Sequence, residues 1–200
     1  MTGFTIVEIR AVLPRLAKAA EAAADELNVA DGKLGDGDLG VTVSHGWRQL
    51  AGAAPTLPED LGQCFVQCAQ LFQQASSSSF GTLTATAFMA AAKASKGRTE
   101  IAWSDVSALL GDALAAMMRR GQANLGDKTV LDGLNAIQSA LADLSDPEKM
   151  AIAAREACDA ALNEFLKRPN RAGRARMFAE RSIGLPDPGM LALRRLLDAI

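Results

Sequence analysis

Tyrosine is absent, and aromatic residues make up only 4% of the chain, so the stacking platforms on which proteins lay out single-stranded bases are missing. His45 is the only histidine, which excludes a histidine-rich metal centre within one chain. A Ser-His-Asp or Cys-His hydrolase would have to be built around His45, and no G-x-S-x-G nucleophile motif is present. Cysteine is scarce: Cys64, Cys68 and Cys158 form an odd set without CxxC spacing, the pattern of reduced thiols rather than a disulfide framework. No apolar run approaches the ~20 residues of a membrane-spanning helix, and Met1–Arg10 lacks the uninterrupted apolar core of a secretion signal. Charge of one sign is also lacking. A formal net charge of −2 and a pI near 5.5 argue against nucleic acid or an anionic membrane as partner. A soluble, cytoplasmic chain of 200 residues forming a single domain over 1–200 is the expectation.

What is present is helical period. Ile6, Ile9, Leu13, Leu16, Ala20, Ala23 and Leu27 fall on one stripe of a first helix over Thr5–Asn28, with Pro14 as a kink or late start. Further helices are predicted after Gly40, over Leu61–Gln74, Thr82–Lys96, Asp105–Arg120 with Ser104 as cap and Gly121 as stop, and Asp127–Leu141 capped by Asp127. Asp146-Pro147-Glu148 opens another that reaches about Lys167, and Asp187-Pro188 opens the last. About eight helices with short connections and almost no strand alternation make an all-α bundle. The irregular segment Arg168–Pro186 is rich in arginine, as functional loops that bind anions are.

The densest chemical signal is Asp31-Gly-Lys-Leu-Gly-Asp36-Gly-Asp38-Leu39-Gly40: three carboxylates among four glycines. Ordering glycine is entropically costly and crowded carboxylates repel. A hard divalent cation offsets both, and Mg²⁺ commonly completes its shell with water and phosphate oxygens. A solvated Asp/Gly turn accounts for the spacing equally well. An EF-hand does not: counting from Asp36, position five is Gly40 and position twelve Trp47, where oxygen ligands are needed. No G-x-x-x-x-G-K-[ST] phosphate loop occurs. Ser76-Ser-Ser-Ser79-Phe80-Gly81 reads either as a short linker or as a phosphate cradle at a helix start. In Gly126-Asp127-Lys128-Thr129, Lys128 is either part of a turn or a phosphate counter-charge. His45 takes no role, and Cys64 and Cys68, one turn apart, read as core.

Five ordered fragments carry a resemblance across essentially the whole chain: D31-x4-D36-G-D38-x-G40, the Gly81-Thr-Leu region, G126-D-K-T-V-L-D132, G173-R-A, and E180-R-S-I-G-x-x-D187-P-G189. Together they are similar to the L subunit of dihydroxyacetone kinase and the matching C-terminal domain of single-chain dihydroxyacetone kinases. The resemblance implies an antiparallel eight-helix barrel in which Asp31, Asp36 and Asp38 hold two Mg²⁺ ions that grip the phosphates of ADP or ATP. It places Leu39, Gly40, Val41, Thr42, Ser79 and Phe80 near the nucleotide, Gly121 and Val130 on the adenine side, and Arg174, Asp187, Pro188 and Gly189 as closing residues. It implies a partner K subunit whose histidine holds the ketose. In one version of the family a phosphohistidine-carrying M subunit rephosphorylates bound ADP, and in the other ATP exchanges; a homodimer is a further expectation. Three departures stand out: Leu39 replaces a histidine, Ser77-Ser78 a glycine pair, and Phe80 a serine that faces phosphate. Losing two hydrogen bonds corresponds to about 1–3 kcal/mol of nucleotide binding. A nucleotide-poor helical partner module is therefore the alternative reading, and a cation-binding bundle without phosphate chemistry a third.

Overall fold

A computed structural model describes residues 2–200. A short antiparallel ribbon, β1 (Gly3–Thr5) with β2 (Glu100–Ala102), pairs Phe4 with Ile101. Thr5 then starts the first helix through a capping box: its hydroxyl accepts from the Val7 amide, and Glu8 reaches back to the Thr5 amide at 2.8 Å. Among the described residues there are nine α-helices: α1 (Ile6–Ala22), α2 (Ala24–Gly32), α3 (Leu39–Ala53), α4 (Leu61–Ala75), α5 (Ser79–Ala94), α6 (Val106–Gly121), α7 (Val130–Ala140), α8 (Pro147–Phe165) and α9 (Pro188–Leu196). Short 3-10 turns lie at Ala54–Thr56, Trp103–Asp105 and Leu197–Ala199, and a longer one at Arg174–Ser182.

The all-α expectation holds, with instructive differences. The first predicted helix is two: Pro14 is accommodated inside α1, and the break falls at Ala23, after which α2 continues through Asp31 to Gly32. Asp31 is thus a helical residue, not a loop residue. Thr129, not Asp127, caps α7, because Thr129 and Asp132 form a reciprocal capping box. Ser104 does not cap α6; Asp105 occupies that position without a side-chain bond and pairs instead with Arg98 at 2.8 Å. Gly121 lies inside α6, which ends on Gln122 in the left-handed region (φ 50°). Asp146 and Asp187 do cap their helices, accepting from the Lys149 and Met190 amides at 2.9 and 2.8 Å.

Neighbours in sequence are neighbours in space. The packing runs α1–α3–α4–α5–α6–α7, and α9 closes the ring by touching α7 on one side and α1, α2 and α3 on the other. The interior near the ribbon is filled by Ile9, Leu13, Leu50, Leu61, Cys64, Cys68 and Phe72, all buried. Leu27, Leu39, Val43 and Leu191 join α2, α3 and α9. Leu114, Met117, Leu131 and Leu134 join α6 to α7. Such closure of amphipathic helices around one apolar interior leaves the helix ends as the places where polar groups gather.

Candidate metal and phosphate site

One end of the barrel holds a cavity of about 800 Å³. Its wall is built from helix ends: the last turns of α2 (Asp31), α4 (Ala75) and α6 (Arg120, Gly121), and the first turns of α3 (Leu39, Thr42), α5 (Ser79, Phe80, Leu83), α7 (Val130, Leu131) and α9 (Pro188, Gly189). Four helix N-termini therefore converge on one cavity. Each brings the positive end of its dipole, a field suited to anions.

Against that field stand three carboxylates. Asp31, Asp36 and Asp38 each offer an oxygen within 4.8 Å of the other two. The local fold explains why. Asp31 Oδ2 accepts from the Gly37 and Asp38 amides at 2.8 and 3.1 Å, which folds the turn back onto α2. Gly37 takes φ 78° in that turn, a conformation that favours glycine. Gly35 lets the turn approach the carboxylate closely, since a Cβ there would lie 2.6 Å from Asp31 Oδ1 and push it aside. Asp38 occupies the N-cap position of α3 but makes no capping bond. Asn28 caps instead: its Oδ1 accepts from Gly40 N at 2.7 Å and Val41 N at 3.3 Å. The Asp38 carboxylate is thereby left free for the cluster. Asp31, in the last turn of α2, sits at the negative end of its own helix dipole with no basic residue in that turn. These features share one remedy, a cation. Arg174 supplies a positive charge there by pairing with Asp36.

Of the residues the sequence marks, Asp31, Asp36, Asp38, Leu39, Thr42, Ser79, Phe80, Gly121, Val130, Arg174, Asp187, Pro188 and Gly189 line this cavity. Gly40 and Val41 do not: Gly40 presses on the Ala24 backbone of α2, Val41 is exposed, and both amides already donate to Asn28. Leu39 is buried against α2 and α9 and presents only carbon to the site. Lys128, read as a possible phosphate counter-charge, is fully buried and bonded elsewhere. Asp187 lines the cavity yet is largely occupied in capping α9 and accepting from Asn170 Nδ2 at 3.1 Å; its burial pushes the carboxyl up to about 7.

The serine run is a built helix start rather than a linker. Ser78 caps α5, its hydroxyl accepting from Gly81 N at 3.0 Å, and Ser76 Oγ lies 3.3 Å from Thr42 Oγ across the cavity floor. Phe80, Val130 and Gly189 meet side by side: a Cβ on Gly189 would touch Val130 Cβ at 3.3 Å and Phe80 Cδ2 at 3.7 Å. Together with Leu83, which packs 3.2 Å from the Cβ position of Gly121, they form an apolar wall beside the polar floor. Asn28, Leu83 and Arg120 carry no motif and were not visible as site residues in the sequence.

The DAK2 domain model matches residues 33–200. The chain is 27% identical over 183 residues to the ADP-binding subunit DhaL of PEP-dependent dihydroxyacetone kinase 2 from Listeria innocua, covering 88% of this chain and 84% of that one. It is 31% identical over 202 residues to human triokinase/FMN cyclase, covering 94% of this chain but only 34% of that longer protein. Its fold superposes on the C. freundii dihydroxyacetone kinase in complex with AMP-PNP and Mg²⁺ with a TM-score of 0.77 at 25% identity, over 100% of this chain and 34% of that one.

Proposed function

The chain belongs to the DAK2-domain family, and from that premise we propose that it is the nucleotide-binding subunit of a kinase for dihydroxyacetone or a related short keto-sugar. Residues 1–200 act in this reading as one domain that holds ADP or ATP with Mg²⁺ and presents the phosphates to a ketose on a separate K-type subunit. The observation that carries it is the meeting of two opposite electrostatic devices in one cavity: three carboxylates within 4.8 Å of one another, and the N-termini of α3, α5, α7 and α9. Carboxylates alone repel phosphate, and helix N-termini alone repel cations; a metal–phosphate ligand satisfies both.

The roles follow from position. Asp31, Asp36 and Asp38 would ligate two Mg²⁺ ions, which neutralise charge on the phosphates when bound. Ser79 and Phe80 bring first-turn amides of α5 to the anion, while the Ser78 cap fixes the geometry of that turn. Thr42 and Ser76 add hydroxyls on the floor. Val130, Gly121, Leu83 and the Phe80 ring offer the base an apolar surface. Arg174 closes from the late loop, where its guanidinium can leave Asp36 for a phosphate oxygen. The sugar is positioned by the partner chain, so the isolated subunit is expected to bind nucleotide without turning over.

The name of the Listeria relative, PEP-dependent and ADP-binding, supports the version in which ADP stays bound and an M-type phosphohistidine protein recharges it. The triokinase relative is a single longer chain, of which this one spans 34%. The deciding experiment is calorimetric titration of the ligand-stripped chain with ADP, with and without Mg²⁺. Binding that disappears without Mg²⁺ is the expected result. No binding in either condition would overturn the reading in favour of a nucleotide-poor partner module, the role that the carbon-only Leu39 and Phe80 side chains favour.

A further inference from the structure

Lys128 is the only lysine or arginine buried completely among the described residues. Its backbone is in the left-handed region (φ 62°), where a lysine sits under strain. Its ammonium donates to two carbonyls, Arg168 O and Ser182 O, each at 2.9 Å. These carbonyls are the two ends of the arginine-rich loop, so one cation closes the neck of the loop. The neck is stitched further: Asn170 N donates to Ser182 Oγ at 2.8 Å, Gly184 N to Leu166 O at 2.7 Å, and Arg171 N to Asp127 O at 2.9 Å. Asn170 Nδ2 returns to the Lys128 carbonyl at 2.7 Å. Ala172, Gly173, Arg174 and Ala175, on the crown of this loop, line the metal–phosphate cavity, and Arg174 reaches Asp36. Lys128 does not line it.

We propose that Lys128 is a positioning residue for the nucleotide site: its ammonium clasps the neck of the 168–182 loop and so holds Arg174 over the phosphates. The proposal rests on the nucleotide-binding reading given above. A loop whose ends are fixed together presents its crown in few conformations, and a freed one must be ordered anew by each ligand. A compact ammonium with three donors suits two converging carbonyls in a buried neck, where charge-assisted bonds are strong. Burial lowers the Lys128 pKa, with the nearby Asp187 opposing that shift.

The test uses the intact chain as wild type, Lys128→Met, Arg174→Ala and the double variant. Trypsin reports on the clasp without any nucleotide, because the loop carries Arg171, Arg174, Arg176 and Arg181. Cleavage within it is expected to be about tenfold faster in Lys128→Met, as for a segment whose local opening is made easier. Calorimetry with Mg²⁺ and ADP then closes the cycle: each single variant is expected to bind about tenfold more weakly, and the double variant no worse than either, since both act through one group. Unchanged proteolysis, an unchanged Kd in Lys128→Met, or losses that multiply in the double variant would each overturn the positioning role while leaving nucleotide binding intact. A wild type that binds no Mg²⁺–ADP would overturn both readings together. If Lys128→Met does not fold, Lys128→Gln, which keeps a donor at the neck but removes the ammonium that spans both carbonyls, enters the same cycle with the same expectations.

Discussion

Replacing Asp36 by Asn is expected to have opposite effects with and without ligand. In the ligand-free protein Asp31, Asp36 and Asp38 form three like-charge pairs with oxygens within 4.8 Å. At that separation each pair costs about 1 kcal/mol in a water-like dielectric and about 3.5 kcal/mol at an effective value of 20. The Asp36 side chain is 48% exposed, which puts the cost near the lower figure. Asp36→Asn relieves two of the three pairs and gives up an exposed ion pair with Arg174, a pair of a kind worth about 0–1 kcal/mol. The net is a gain of about 1 kcal/mol, or a rise in Tm of about 2–4 °C for a chain of this size.

Ligand reverses the order. With Mg²⁺ and ADP at a hundred times the Kd, the wild type gains about 2.7 kcal/mol by mass action, and Asp36→Asn loses most of that gain with its ligand oxygen. Thermal unfolding at low salt, with EDTA in one series and with Mg²⁺–ADP in the other, should show the two curves cross. Two results would refute the reasoning. If Asp36→Asn is destabilised in EDTA, the acidic cluster is not a site of stored repulsion. If it keeps the full ligand-induced shift, Asp36 is not part of the cation site.

Asp187 gives a pH signature. Its carboxyl is raised from 3.8 to about 7 in the folded chain, so the folded state holds its proton more tightly than the unfolded state does. The stability contributed by this proton is full below about pH 4 and is lost as pH rises through 7, at up to about 1.4 kcal/mol per pH unit. Asp187→Asn, which can still cap α9, should flatten urea-unfolding stability between pH 5 and 7.5, while the buried Asp132, whose pKa is raised in the same direction, keeps its own contribution. Equal slopes in both proteins would show that Asp187 is ionised throughout. Gly40→Ala should cost about 1–3 kcal/mol as overpacking: the added Cβ would stand 2.7 Å from the Ala24 carbonyl carbon, backbone that cannot swing aside. Because Gly40 lies in the first turn of α3, two residues after Asp38, Mg²⁺–ADP affinity should fall as well; an unchanged urea midpoint would show that α2 and α3 are not in contact there.

The features legible in the sequence are those whose causes lie within a few residues. Asp31, Asp36 and Asp38 are close along the chain, and glycine between them announces a turn that brings carboxylates together. The caps of α8 and α9 announce themselves through Asp-Pro. Thr129 and Asp132 are equally local, but the acid in Gly126-Asp127-Lys128 points to Asp127 as the boundary, whereas the S/T-x-x-D spacing of the capping box marks Thr129. Nothing marks the break between α1 and α2, since Ala23 is a strong helix former and Pro14, the conspicuous breaker, lies inside α1. The β1–β2 ribbon, with three residues on each strand, is too short to establish an alternation.

What could not be read locally depends on distant partners, and Lys128 is the clearest instance. A lysine after Gly-Asp reads as part of a turn or as a phosphate counter-charge, and only carbonyls 40 and 54 residues further on turn it inward. Asp38 is the converse. Its position at the start of α3 predicts a cap, and it is released from that duty only because Asn28, from the preceding helix, satisfies the Gly40 and Val41 amides. The same dependence governs the field of the whole site. Helix starts near residues 39, 79, 130 and 188 can each be predicted singly, but their shared direction follows from closure of the ring by α9. A residue in such a site is therefore read correctly from sequence when its partner is near in the chain. A residue whose orientation is set by closure, as for Lys128, Asn28 and Leu83, needs the fold before its role can be assigned.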